Sequence, residues 1–411
     1  MTAASVVITT KNRKEELLKG VESAMGQRGL LEVIVIDDGS TDGTAEELKN
    51  KFSVFRSQFS EEKLATSDSR LATAPEALSL DSGRSTLDPQ TAAKPLLRLI
   101  RYEESRGLIV RRNEGARVAE GDVIFSLDDD AVFSSPFVVE QTLQDFSHPR
   151  IGAVAIPYIE PHKANKEMQR APTREDVWIT ASYIGTAHAV RRDVFLALRG
   201  YREHLVHQGE EGDFCLRMLA AEQKEKAESG NAEKLKTDLT TEDTESTEGE
   251  AGLTMDDADI HGFQKNQQGG AQGTCAGAPA ALEPATSHSP LATLLEAAVP
   301  GFFVRLGNSD PIIHNESPKR DYSRMDFYGR RNDVLFHWQN TPMPDLLWQL
   351  PKTIAGGLVC AAKVGRWRKM LEGIGAGFLA IAGGVKRLPI PNNYSEIYHQ
   401  LKKSGPVRMN K

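Results

Sequence analysis

Cysteine, long apolar runs and basic charge are all scarce in this chain, and each shortage closes off a class of function. Its 411 residues hold three cysteines, Cys215, Cys275 and Cys360, far apart and in no metal-ligand spacing. Neither a disulfide framework nor a zinc site is expected, and a reducing cytoplasm fits best. No run reaches the roughly 18 apolar residues of a spanning helix; the closest approaches, 354–362 and 374–384, are short and rich in glycine. Met1-Thr2-Ala3-Ala4-Ser5 leads straight into an apolar run, so no signal peptide is predicted. The net charge of −7 argues against nucleic acid as the main partner.

Charge and aromatic residues are unevenly spread. The tail over 351–411 holds 11 basic residues against Glu372 and Glu396, and its apolar stretches predict contact with an anionic membrane surface or packing as a solvated extension. Between 221 and 300 the only aromatic residue is Phe263, and the sequence passes through Thr240-Thr241-Glu242-Asp243-Thr244-Glu245-Ser246-Thr247-Glu248. Such a stretch lacks the apolar area to offset chain entropy, so disorder is expected there and, on a smaller scale, over 57–94.

What is present is an acidic triplet, Asp128-Asp129-Asp130, closing the apolar run Val123-Ile124-Phe125-Ser126-Leu127. Carboxylates crowded at the end of a buried strand repel one another and lose hydration. A hard cation with its phosphates relieves both costs, so metal-bound diphosphate is the first expected ligand. Upstream, Ser5-Val6-Val7-Ile8 ends in Thr9-Thr10-Lys11-Asn12-Arg13, and Glu32-Val33-Ile34-Val35-Ile36 ends in Asp37-Asp38-Gly39-Ser40. Strand, polar turn and helix recur, the grammar of a parallel α/β sheet whose ligands sit beyond its strands' carboxyl ends.

Val7-Ile8-Thr9-Thr10-Lys11-Asn12-Arg13, Val35-Ile36-Asp37-Asp38-Gly39-Ser40-Thr41-Asp42-Gly43-Thr44, Arg112-Asn113-Glu114-Gly115-Ala116 and Leu127-Asp128-Asp129-Asp130 come in a fixed order. Gly185-Thr186-Ala187, Gly200-Tyr201 and Gly209-Glu210-Glu211-Gly212-Asp213 follow. Together they resemble the motifs of the family 2 glycosyltransferases of the GT-A fold, over most of 5–217 with a return near 314–332. The resemblance implies an α/β fold with a Rossmann-like, mainly parallel central sheet flanked by helices. A catalytic domain would occupy 1–220, interrupted at 57–94. An insertion at 221–300, completion of the domain over 301–340 and a basic, amphipathic helical extension over 341–411 would follow.

The implied activity is inverting transfer of one hexosyl or deoxyhexosyl group from a nucleotide-diphosphate sugar, UDP most commonly, to a hydroxyl acceptor such as a lipid-linked saccharide. Mg2+ or Mn2+ would assist, and bacterial-type surface polysaccharide or glycoconjugate synthesis would be the setting, in the cytoplasm or at the inner face of its membrane. By the same resemblance Thr9, Asn12, Arg13, Asp37, Asp38, Arg112, Asn113, Asp128, Asp129 and Arg330 would contact the nucleotide sugar. Asp128, Asp130 and His314 would hold the metal, and Glu211, beside Glu210, would be the base. The family's pair is Glu-Asp with its second member as base; here Glu211 stands in place of aspartate, so the role either stays with Glu211 or passes to Glu210.

Blander readings accompany these: helix-capping for Ser40 or Asp42, dipole-favoured acids at 210–211, a structural His314 and a solvated helix face for Arg330. A sugar nucleotidyltransferase would carry a Gly-x-Gly-Thr-Arg loop where Thr9-Thr10-Lys11-Asn12-Arg13 stands. A processive synthase would bring Gln-x-x-Arg-Trp beside several spans. The substituted base motif leaves one alternative open, a non-catalytic nucleotide-sugar- or carbohydrate-binding descendant of the same fold.

Overall fold

The computed structural model describes residues 2–52, 55–59, 95–163, 165–221, 295, 299, 301–315 and 321–409. The chain begins β1 (Ala4–Thr10), α1 (Lys14–Met25), β2 (Leu30–Asp38), α2 (Thr44–Lys51), β3 (Phe55–Phe59), β4 (Leu96–Tyr102), α3 (Leu108–Val118) and β5 (Val123–Asp128). It continues with β6 (Ala131–Phe133), α4 (Val138–Gln144), β7 (Ile151–Ala155), β8 (Tyr158–Ile159), β9 (Glu167–Met168), β10 (Trp178–Thr180), β11 (His188–Arg191), α5 (Arg192–Ala197) and α6 (Glu210–Leu219). The last elements are β12 (Phe303–Leu306), β13 (Ile312–His314), α7 (Tyr322–Asn340), α8 (Leu346–Val364), α9 (Trp367–Ala382), α10 (Asn392–Ser404) and β14 (Val407–Arg408).

Ten strands form one sheet in the order β14-β10-β12-β7-β11-β5-β1-β2-β4-β3. From β5 to β3 every pair is parallel. β11 enters antiparallel between β5 and β7, and the β10 edge is antiparallel too. β1 is buried along its whole length, as a continuous apolar run covered on both faces should be. Leu17, Gly20, Val21 and Ala24 recur at helical spacing and form the buried stripe of α1. α3 lies so close to β1 that a Cβ on Gly115 would collide with Val7, and glycine is what lets the helix seat Arg112 and Asn113 against the sheet.

β1 pairs with β2 on one side and β5 on the other, so Thr9 stands opposite both Ile36 and Asp128. The strand order reverses here, which opens a crevice beyond the carboxyl ends. A second sheet, β6-β13-β8-β9, closes one side of it by pairing His314 with Ala131.

The expected insertions at 57–94 and 221–300 lie outside the described residues, apart from the end of β3, Ala221, Leu295 and Val299. Leu295 and Val299 are buried, and Arg150 donates to both their carbonyls. The helical tail does not stand apart from the sheet, because β14 pairs with β10. Among the described residues no helix is long and apolar enough to cross a membrane. Cys215 is a buried free thiol.

Candidate active site

The acidic triplet sits where β5 ends and β6 begins. Thr10 Oγ1 donates to Asp129 Oδ2 at 2.9 Å. Arg13 Nη1 donates to Asp129 Oδ1 at 3.0 Å and Asp130 Oδ2 at 2.7 Å. His314 arrives through the β13–β6 pairing, with Nε2 3.3 Å from Asp130 Oδ1 and Nδ1 3.4 Å from Glu160 Oε1. Burial, reinforced by the flanking aspartates and opposed by Arg13, pushes Asp129 up to about 7. For Asp130, burial is outweighed by His314 and Arg13, and the carboxyl is held below its usual range. Burial would lower His314, but Asp130 and Glu160 outweigh it and raise the imidazole to about 9.

Arg112 ties this cluster to the second one. Its side chain is 6% exposed, with Nη2 2.7 Å from Asp128 Oδ1 and Nη1 3.3 Å from Glu210 Oε1 and 4.0 Å from Glu211 Oε1. A Cβ on Gly185 would lie 2.6 Å from Glu211 Oε1 and 2.8 Å from Arg112 Nη1, so the Gly185-Thr186-Ala187 turn leaves the pair its space. Glu210 and Glu211 open α6, where the helix dipole favours acids. Their exposures differ: 3% of the Glu210 side chain against 21% of Glu211. Burial, then the neighbouring Glu211, pushes Glu210 up to about 8 against the pull of Arg112; burial raises Glu211 also. Adjacent carboxyls coupled in this way titrate as one unit, and Arg112 favours its ionised form.

Behind Arg112 runs a buried chain of which the sequence motifs mark only Tyr201. Tyr201 Oη lies 2.9 Å from His188 Nε2 and 3.1 Å from Tyr183 Oη, and the Tyr183 and His188 rings stack at 4.0 Å. Burial, with Arg112 nearby, pushes His188 down to about 3, so it stays neutral. Glu160 is a second residue outside the sequence reading, since a lone acid after the two-residue β8 carries no pattern.

The residues expected at the nucleotide divide into two groups. Thr9, Arg13, Arg112, Asp128 and Asp129 meet at the crevice. The others, Arg330 apart, hydrogen-bond to neighbouring loops. Asn12 Oδ1 accepts from Thr41 N–H at 2.7 Å, and buried Asp37 accepts from Ser40 N–H at 2.8 Å. Asp38 accepts from Ser105 Oγ (2.6 Å), the Arg106 and Gly107 N–H groups (2.9 and 3.0 Å) and Arg111 Nε (2.6 Å), which fixes the β4–α3 loop. Asn113 clamps Tyr201 through two backbone bonds of 2.8 Å. Arg330 pairs with Asp333 at 3.0 Å and lies against Gly357 of α8.

Asp128, Asp130 and His314 each offer one ligand atom, all within 4.8 Å of one another. Two carboxylate oxygens and an imidazole at this spacing suit a divalent ion. His314 Nδ1 is buried beside Glu160 without a hydrogen bond, and the ring ligates a metal in its neutral form, so a bound cation would replace the proton that Asp130 and Glu160 favour in its absence. The donor set therefore fits a divalent metal.

The family model described as Glycosyl transferase family 2 matches residues 5–67 and 76–199. No curated protein sequence matches the chain. Among solved structures, a mannosyltransferase from Pyrobaculum calidifontis in complex with GDP-Man and Mn2+ is 14% identical, with a TM-score of 0.45 over 98% of this chain and 84% of that one. S. aureus TarS 1-349 in complex with UDP is 16% identical, with a TM-score of 0.36 over 52% of this chain and 54% of its own. GalNAc-T7 with UDP, GalNAc and Mn2+ is 18% identical, with a TM-score of 0.38 over 54% and 41%. With scores this low they stand as likenesses only. The ordered motifs, the parallel sheet with acidic strand ends and the family match converge over residues 5–199: this part of the chain is similar to glycosyl transferase family 2.

Proposed function

We propose that the enzyme transfers one hexosyl or deoxyhexosyl group, with inversion, from a nucleotide-diphosphate sugar to a hydroxyl acceptor with the help of a divalent cation. One observation carries the reading: Arg112 holds Asp128 on one side and the Glu210-Glu211 pair on the other, so a phosphate-facing cluster and a proton-accepting pair share one brace. Asp128, Asp130 and His314 would hold Mg2+ or Mn2+, which when bound neutralises charge on the leaving diphosphate. Arg13, with a side chain 40% exposed beside the triplet, offers a cation to the same phosphates.

Glu211 takes the acceptor's proton as its oxygen attacks the anomeric carbon and the bond to the diphosphate breaks. It is chosen over Glu210 because it is the more exposed of the two, while Glu210 turns a carboxyl oxygen to Arg112 and is a positioning residue. Asp38 contributes by shaping the β4–α3 loop. UDP sugars are the first donors to test. A lipid-linked saccharide at the inner face of a bacterial-type membrane, in surface polysaccharide or glycoconjugate synthesis, is the acceptor setting that the family resemblance favours.

The test is release of nucleoside diphosphate from a panel of UDP, GDP and dTDP sugars by the purified chain, with Mg2+, Mn2+ or EDTA. Release from one donor class that EDTA abolishes supports the reading. Donor binding without release in any condition would favour the non-catalytic alternative.

A further inference from the structure

The α8–α9 hairpin is built inside out. Most of its buried positions are small residues, Gly357 and Ala361 on α8 and Gly373 and Gly377 on α9, with Leu346 and Met370 the exceptions. A Cβ on Gly377 would lie 2.8 Å from Val334 Cβ of α7, and one on Gly373 would collide with the Phe327 carbonyl. The large apolar side chains face away from the protein: Trp348 is 75% exposed and Leu379 74%, and Leu347, Trp367, Leu371 and Phe378 are exposed with them. A helix meant for water has the reverse order, with a large apolar stripe inward and polar residues outward. Glycine seams beneath large outward residues are the packing of helices whose outer surface meets lipid.

Length and charge narrow the occupant. Neither helix is long and apolar enough to cross a bilayer, so this face can lie in the interface but not span it. Between residues 346 and 390 stand seven basic residues (Lys352, Lys363, Arg366, Arg368, Lys369, Lys386 and Arg387) against one acid, Glu372; Arg366 is taken up by Asp326 of α7 and Arg387 by the Trp338 and Thr341 carbonyls, which still leaves an excess of positive charge. That balance suits anionic headgroups. It disfavours a second copy of the chain, because a two-fold contact through this face would bring the same cations together. Trp348 and Trp367 carry rings suited to the headgroup boundary.

We propose that the α8–α9 hairpin seats monotopically in an anionic lipid surface, its apolar outer faces in the headgroup–acyl boundary and its cations on the phosphates. It sharpens the inner-face setting proposed above but uses no residue of the active site, so its failure and the failure of the donor chemistry are separate results. The test uses the full chain with vesicles of phosphatidylcholine alone or mixed with phosphatidylglycerol, read by sedimentation and tryptophan emission. Trp178 is buried and Trp338 donates to the Val385 carbonyl, so emission changes report Trp348 and Trp367. The chain should bind the mixed vesicles, its emission should shift to the blue, and brominated acyl chains should quench it.

Trp348→Ser/Leu371→Ser/Leu379→Ser should weaken partitioning by about 100-fold or more with the melting temperature unchanged, since all three side chains are exposed. If that variant melts early, Trp348→Ser alone should still lose about tenfold. Equal binding by the variants, no binding by the parent chain, or binding without quenching would overturn the proposal. So would a dimer that depends on this face in a chain that ignores vesicles.

Discussion

Replacing Arg112 with methionine separates its two readings, nucleotide contact and internal brace. The substitution keeps much of the side-chain volume and removes a guanidinium from between three carboxylates. Asp128 and Glu211 are 27% and 21% exposed and regain some hydration, whereas Glu210 at 3% does not. Breaking a buried pair from one side costs about 3–5 kcal/mol, and Glu210 can limit its share by binding a proton, so the lower end, about 3 kcal/mol, applies. That corresponds to a fall of roughly 6–12 °C in melting temperature by calorimetry. Adding Glu210→Gln should restore about 1–2 kcal/mol, because the orphaned charge leaves with its partner. Arg112 holds both glutamates down, so its loss raises their pKa values; a base must be deprotonated, and the acid limb of kcat/KM moves to higher pH. A variant that loses donor affinity with both its melting temperature and its acid limb unchanged would refute the brace and return Arg112 to the nucleotide.

Glu211→Gln should keep donor affinity by calorimetric titration and lose about 10²–10⁴-fold in kcat, with Glu210→Gln costing less; the opposite ranking would move the base to Glu210. In the parent enzyme, activity should climb with pH toward about 8, since burial and Glu211 raise Glu210 to about 8 and the shared proton must leave first; a flat profile below neutrality would contradict a coupled pair. Asp130→Ala should abolish transfer and Mn2+-dependent donor binding, and His314→Ala should weaken Mn2+ binding by about 10–100-fold, read by titration without donor. At the far end of the strands, Arg98→Met leaves buried Glu32, 2.8 Å away, without its cation and should cost about 3–5 kcal/mol in denaturant unfolding with donor affinity intact; unchanged stability would show that water compensates Glu32.

The half of the site made by single strands was legible in the sequence. β1, β2 and β5 are largely apolar runs that stop at polar residues, so the strand ends and their carboxylates could be placed without coordinates. The half made by tertiary pairing was not. Glu160 meets His314 only because β13 pairs with β8, across more than 150 residues. The Tyr183, His188 and Tyr201 chain joins a loop, a strand and a turn with no shared spacing. Asp38 shows a different limit, since its acidic turn was legible but the four donors that tie it to the β4–α3 loop were not. Arg330 depended on which face of α7 meets α8. In the tail, glycine-broken runs read as too short to span; two of their glycines, Gly357 and Gly377, prove to face α7.

Inversion at the anomeric carbon, driven by Glu211 and dependent on the metal, is the central claim. Proton NMR of the product of a preferred α-linked donor, followed in real time, tests it most directly. The account predicts a β-configured product appearing in step with nucleoside diphosphate, abolished by EDTA and slowed at least a hundredfold in Glu211→Gln, by the usual scale for removing a general base. An α-configured product, or equal rates in the parent enzyme and Glu211→Gln, would contradict it.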